Sequence, residues 1–221
     1  MKYFLILVLC ISSTTFAKTN LANCYDLNFN IEGSELEKVK LYLSGKGEKG
    51  AYWPTKGILA ASIGDIEFIK NNDSPEIRFD ALYIALSAKP ELYNEIISLF
   101  TNINERSKDG LSPLMIAVNC GKIEIVKELI AKGADINLKV KPKIVNCDRV
   151  EDSNSKAEPH YWNILTLGIM TKNTELVNLL LMEGASCSDV ILSNGLTTLD
   201  IAKKMSTNEI VGLIEQCLSK K

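Results

Sequence analysis

The stretch DGLSPLMIAVNCGKIEIVKELIAKGADIN, residues 109–137, decides the fold of this chain. It opens on an Asp-Gly turn, and Ser112-Pro113 then starts a helix, because serine caps free amides and proline suits the first helical position. Gly121 ends that helix and Gly133 ends a second one. Both helices have an apolar face, and two short helices cannot bury two such faces alone. The stretch therefore predicts a turn and two antiparallel helices stacked against similar units.

Weaker copies of the same layout occur on both sides of this stretch. They lie at 58–70, 80–100, 160–188 and 194–217. Successive units are spaced by 32–34 residues, except for one interval that is longer by half a unit. The extra residues are polar and charged without helical periodicity. They predict an inserted loop, and insertions between repeats often lie on the binding face.

The best unit resembles the ankyrin repeat, whose pattern is D-G-x-T-P-L-x-x-A-A-x-x-G-x-x-x-x-V-x-x-L-L-x-x-G-A-D-x-N. Ser112 stands for the threonine and Val118 for the second alanine. The resemblance implies an all-α fold, an ankyrin-repeat solenoid of about five helix-turn-helix units. The predicted boundaries are 1–17 for a signal peptide, 18–50 for an N-terminal capping segment, 51–137 for repeats 1–3, 138–159 for the inserted loop, and 160–221 for repeats 4 and 5 with a C-terminal cap.

The first residues, MKYFLILVLCISSTTFAKTN, have the layout of a secretory signal peptide. Lys2 precedes an apolar run, and small residues end at Ala17, after which we predict cleavage. A lipid anchor on Cys10 is the alternative, but Leu9 stands where such sites need a small residue. The later sequence has no run long enough to span a bilayer. We therefore predict a periplasmic protein without membrane contact after cleavage.

The charge balance argues against nucleic acid as a partner. The chain has 25 basic and 27 acidic residues and a formal net charge of −2. Nucleic-acid-binding domains have a basic footprint that this composition lacks.

The only two tryptophans each follow a tyrosine, at Tyr52-Trp53 and Tyr161-Trp162. In the ankyrin resemblance these pairs fall on turn tips, which with the concave face of the first helices form the family's binding surface. Partner contact is one interpretation, because Trp and Tyr are enriched at interface hot spots. Packing over the apolar edge of a weak repeat is the other. The remaining predicted tip and concave positions are Leu111, Asn119, Met170, Thr171, Leu196 and Lys204.

The sequence lacks the patterns of an active site. Its one histidine, His160, lies at a unit boundary, and there is no CxxC pair, HExxH or glycine-rich phosphate loop. We expect no enzymatic activity, no cofactor, no metal site and no small-molecule substrate.

Five cysteines remain after the signal peptide: Cys24, Cys120, Cys147, Cys187 and Cys217. An oxidising compartment favours disulfides. One hypothesis is a bridge between Cys120 and Cys147, which would pin the inserted loop; Cys187 and Cys217 lie in adjacent units and could form a second. The alternative is that these cysteines are free, small buried hydrophobes.

Together these features predict a non-enzymatic module in the periplasm that binds another protein through turn tips, concave face and inserted loop. The sharper hypothesis is an immunity protein that neutralises a toxic effector. An accessory or scaffold protein for an enzyme or a stress response is one alternative. A secreted effector that targets host proteins is another.

Overall fold

The computed structural model describes residues 31–50, 53–108, 110–139, 163–189 and 197–220. The chain divides into two compact units between Ile116 and Ala117. We call residues 24–116 the N-terminal unit and residues 117–221 the C-terminal unit. The regular elements of the described ranges are α-helices and one 3-10 turn. The predicted all-α repeat fold is confirmed.

The N-terminal unit contains five helices and the 3-10 turn Pro90–Leu92. The helices are α1 (Gly33–Leu43), α2 (Lys56–Ile63), α3 (Ile66–Asn71), α4 (Pro75–Ser87) and α5 (Tyr93–Ser98). Helix α6 (Pro113–Asn119) spans the division. The C-terminal unit continues with α7 (Ile123–Ala131), α8 (Ile164–Met170), α9 (Thr174–Met182), α10 (Thr198–Met205) and α11 (Asn208–Ser219).

The first helix of the best repeat begins, and both of its helices end, at the residues that the sequence predicts. Pro113 is the first residue of α6, and the Met115 amide donates to the Ser112 hydroxyl at 3.3 Å. Gly121 has a φ of 64° and Gly133 a φ of 86°. Glycine adopts this left-handed conformation without steric cost, so each helix can end there.

Helices α2 and α4 form the main packing of the N-terminal unit. They are in close contact at Gly57, where the ankyrin pattern has leucine. A Cβ at Gly57 would lie 2.8 Å from the Asp80 Cβ and 3.0 Å from the Ile77 Cα. The backbone of α4 therefore occupies the space that a side chain would need.

Replacing Gly57 with alanine is expected to destabilise the protein by about 1–3 kcal/mol, because α4 must shift to admit the methyl group. Gly168 in α8 is the matched control. A Cβ there meets only the Leu180 Cδ1 at close range, at 2.6 Å, which is the end of a flexible side chain. Gly168→Ala is expected to be neutral or to stabilise by up to about 1 kcal/mol through helix propensity. Denaturant unfolding of both variants tests the contrast, and equal losses would contradict it.

The C-terminal unit pairs its helices in the same way. Helix α8 packs against α9 and α10, and α11 packs against α10 and α9. The predicted bond between Cys187 and Cys217 is present and joins the loop after α9 to the end of α11. Cys187 is buried.

Candidate functional site

Trp53 lies against α1. Its indole Nε1 donates to the Glu35 carboxylate at 2.9 Å, and its ring centroid is 5.6 Å from that of Tyr42. The side chain is half-buried. These contacts within the chain are those expected if Trp53 serves in packing. Contact between Trp53 and a partner stays a prediction. Tyr52 lies outside the described residues.

Leu111 ends a closed turn before α6. The Ser107 amide donates to the Leu111 carbonyl at 2.9 Å, and the Leu111 amide donates to the Ser107 hydroxyl at 3.1 Å. These reciprocal bonds hold the half-buried Leu111 at the predicted tip position. The other predicted tip residues, Tyr161, Trp162 and Leu196, lie outside the described residues.

Two predicted concave residues occupy equivalent helix ends. Asn119 is the last residue of α6 and Met170 is the last residue of α8. Each lies five residues after the leucine of the ankyrin pattern in its repeat, and Lys204 in α10 has the same spacing. Asn119 and Met170 are half-buried, and Lys204 is exposed. We call these three residues the inner row.

The inner row runs across neighbouring helices of the C-terminal unit. Helix α8 packs against α10. The end of α6 also lies beside α8, because a Cβ built on Gly168 would be 3.9 Å from the Val118 Cγ1. The three side chains therefore stand on successive helices at one side of this unit.

The segments in which these helices end are basic. They are 119–122, 170–173 and 204–207, and each contains one lysine and no acidic residue. Lys122, Lys172 and Lys204 are exposed and make no ion pair with a described residue. We call these three residues the lysine row. The sequence reasoning missed Lys122 and Lys172, although aligning the charges of the three turns would have found them.

Acidic residues of the same unit lie near these segments. Glu124 and Glu209 are in the first turns of the following helices. Glu124 accepts a hydrogen bond from Lys127 at 2.8 Å, and this bond raises the pKa of Lys127. Glu209 accepts from the Thr174 hydroxyl at 3.1 Å. These two carboxylates are engaged along the outer helices.

A third acidic residue near these segments is Asp200, which lies on α10. Hydrogen bonds from Thr197 lower its pKa, and the charges of Lys203 and Lys204 help to lower it.

Lys172 has an unusual backbone conformation. Its φ is 57°, and the equivalent position in the best repeat is Gly121, with a φ of 64°. A left-handed conformation costs a residue with a side chain about 1–2 kcal/mol. The chain thus keeps a lysine where glycine would be unstrained, and such strain is concentrated at functional sites.

Asp189 joins the described residues on either side of segment 140–162. Its carboxylate accepts from the Asn163 amide at 2.9 Å and pairs with the Lys139 ammonium at 3.1 Å. Burial alone would raise the pKa of Asp189, but these hydrogen bonds outweigh burial and hold it below its ordinary value. Lys139 and Asn163, the described residues that flank the predicted inserted loop, are therefore both bound to Asp189.

An open groove of about 530 Å³ lies between the ends of α9 and α11. Leu181, Met182, Leu213 and Cys217 are among its lining residues. Met182 is 77% exposed, the highest value among the exposed large hydrophobic side chains described.

Cys120 is disulfide-bonded. Its predicted partner, Cys147, lies outside the described residues, so this pairing stays a prediction. Within the described ranges, no three side chains of the metal-binding types come together. The helices described there are also too short or too polar to cross a membrane.

Comparison with protein-family models identifies the repeat. Residues 57–140 match the model of ankyrin repeats, in three copies. The chain therefore contains ankyrin repeats, and the match includes the best repeat and the weaker copies before it. A search of curated proteins finds no relative that matches this chain.

Proposed function

We propose that this ankyrin-repeat chain is a periplasmic binding protein that captures another protein on its inner row. Ankyrin repeats are protein-interaction modules, and the proposal adds the surface and the compartment. The observation that carries it is the inner row itself. Asn119, Met170 and Lys204 stand at equivalent ends of successive helices and remain accessible to solvent. A rigid surface of this kind loses little conformational entropy when a partner docks.

Two features support an extracytoplasmic location. The N-terminal twenty residues have the layout of a signal peptide that is cleaved after Ala17. The bond between Cys187 and Cys217 fits the same compartment, because disulfides persist in oxidising environments.

Our sharper proposal is that the chain is an immunity protein. An exported module that binds a protein and carries no recognised catalytic motif can act by covering its partner's active surface. A toxic effector delivered by a competing cell is a partner of this kind. The product of a neighbouring gene is the first candidate to test.

The test uses residues 18–221 as bait for the neighbouring gene product and for a periplasmic extract. Met170→Glu places a charge in the inner row and is expected to weaken binding at least tenfold, because an apolar contact is lost and the charge must be desolvated. Met182→Glu is the matched control on helix α9 and is expected to bind like the parent chain.

Both variants should retain the parent unfolding midpoint. Equal binding by both variants would contradict the inner row as the contact surface. If the parent chain binds a toxin without inhibiting it, the immunity role is wrong and the binding role stands.

A further inference from the structure

We propose that the lysine row, Lys122, Lys172 and Lys204, binds an acidic segment of the partner protein. The inference rests on the proposed function and adds the chemistry of the partner. It starts from the location of the three lysines. Lys122 and Lys172 lie in the turns that follow α6 and α8, and Lys204 lies in the last turn of α10.

The local charge in these turns has one sign. The twelve residues of 119–122, 170–173 and 204–207 include three lysines and no aspartate or glutamate. Their charge is therefore not neutralised within the turns themselves. Carboxylates are the groups on another protein that complement such a row.

Other lysines of the same unit are already paired. Lys127 pairs with Glu124 at 2.8 Å, Lys132 with Glu128 at 2.6 Å and Lys203 with Glu215 at 3.3 Å. Lys203 is the neighbour of Lys204 in the sequence. Hydrogen bonds from Thr197 and the charges of both lysines lower the pKa of Asp200, but of the two only Lys203 forms an ion pair with a described residue. Lys127, Lys132 and Lys203 on the helix surfaces therefore have ion pairs, whereas the lysine row forms none with a described residue.

Lys172 supplies an independent observation. It holds a φ of 57° at a position where the best repeat has glycine. Folding alone favours glycine there. Retaining a lysine despite the strain is explained if its ammonium contributes to binding.

The spacing defines the shape of the partner. Packed helices lie about 8–10 Å apart, so the ends of the three helices repeat at roughly that interval. The lysines lie 8, 7 and 5 residues after the repeat leucine, and their long side chains can compensate for these different positions. Residues seven apart on one face of an α-helix rise by about 10 Å. An acidic helix with glutamates at i, i+7 and i+14 would therefore reach all three lysines.

A protein fits this surface better than a nucleic acid. Phosphate backbones carry one charge for about every 1.7 Å of duplex and select denser basic surfaces. The row has three lysines and no arginine, on a chain with a net charge of −2. Asn119 and Met170 lie beside it, and these side chains suit amide and apolar contacts.

The test measures binding of a fluorescein-labelled helical peptide with glutamates at i, i+7 and i+14. A peptide with glutamines at the same positions is the ligand control. The row variant is Lys122→Glu/Lys172→Glu/Lys204→Glu in residues 18–221. The protein control is Lys38→Glu/Lys46→Glu/Lys49→Glu, which makes the same change in net charge at exposed lysines of the N-terminal unit.

At low ionic strength the row variant is expected to bind the glutamate peptide at least tenfold more weakly than the parent chain. The control variant should stay within about threefold, and added salt should weaken parental binding. Equal losses in both variants, or equal binding of both peptides by the parent chain, would overturn the proposal. So would an RNA oligonucleotide or an anionic vesicle that competes as well as the peptide.

The partner found with the Met170→Glu experiment separates the two proposals. Lys204 belongs to both rows, so the comparison uses Lys122→Glu/Lys172→Glu. If that variant binds the partner like the parent chain while Met170→Glu binds it weakly, the lysine row is not its contact and the proposed function stands. If the inner-row test fails with every partner, the proposed function itself is wrong.

Discussion

Asp80→Asn is expected to stabilise the protein at pH 7 by about 2–3 kcal/mol, an unusual gain for a single polar substitution. Asp80 is 3% exposed, on α4 where that helix meets α2. Burial raises the pKa of its carboxyl to about 6, and the like charge of Glu76 adds to this. The hydrogen bond from the Thr55 hydroxyl and the charge of Lys108 oppose the shift without cancelling it. The amide of asparagine can accept the same hydrogen bond without a charge.

The sign of the pH dependence follows from the raised pKa. An unfolded chain releases this proton near pH 4, whereas the folded protein retains it up to about pH 6. Stability from the protonated carboxyl is therefore fully present below pH 4 and is lost as the pH rises to about 6. The advantage of the asparagine variant should appear across the same window and be constant above it.

The measurement is denaturant unfolding of both proteins at pH 4, 5, 6 and 7. Asp200→Asn is the control with the opposite sign. Hydrogen bonds from Thr197 lower the pKa of Asp200, so its charged form favours the folded state. That control is expected to be less stable than the parent at pH 7. An Asp80→Asn gain that is the same at pH 4 and pH 7 would contradict the assignment.

Arg78→Met is expected to destabilise the protein by roughly 3 kcal/mol. The Arg78 guanidinium donates to Asp73 and to Glu105, both at 2.6 Å, and lies 5.7 Å from the centroid of the Phe100 ring. The side chains of Arg78 and Glu105 are only 12% and 19% exposed. Removing the cation leaves the Glu105 carboxylate largely desolvated and unpaired, which costs more than the pair itself contributes.

A double variant distinguishes that cause from lost packing. Arg78→Met/Glu105→Gln removes the stranded charge as well, and is expected to recover about half of the loss in urea unfolding. Arg78→Lys should remain destabilised, because one ammonium cannot reproduce the two directed hydrogen bonds. If the double variant is no more stable than Arg78→Met, the charge at Glu105 is not the cause.

Local patterns were sufficient for the helices and their ends. Ser112, Gly121 and Gly133 act through their own backbone and the next few residues, so a single sequence contains the information. The bond between Cys187 and Cys217 was also accessible, because the repeat spacing placed both cysteines in adjacent units.

Contacts between residues of different helices could not be predicted from the sequence patterns. Gly57 is required by the backbone near Asp80, and the indole of Trp53 meets Glu35 and Tyr42 from another element. These pairings depend on how two helices cross, which apolar periodicity does not specify. The lysine row was missed for a different reason. A single lysine in one such segment is ordinary, and the row becomes visible only when the three segments are compared.

The bond between Cys187 and Cys217 also determines how the C-terminal unit carries mechanical load. Its two cysteines are separated by 30 residues of sequence. A force applied at the C-terminal end reaches Cys217 and passes through the sulfurs to Cys187, bypassing the chain between them. Helix α10 and most of α11 lie within that bypassed length and bear little of the tension. Repeat proteins ordinarily peel from their ends, one unit at a time. Here a pull on the C-terminus acts first on the loop that follows α9, so the last helix pair is not the first to unravel.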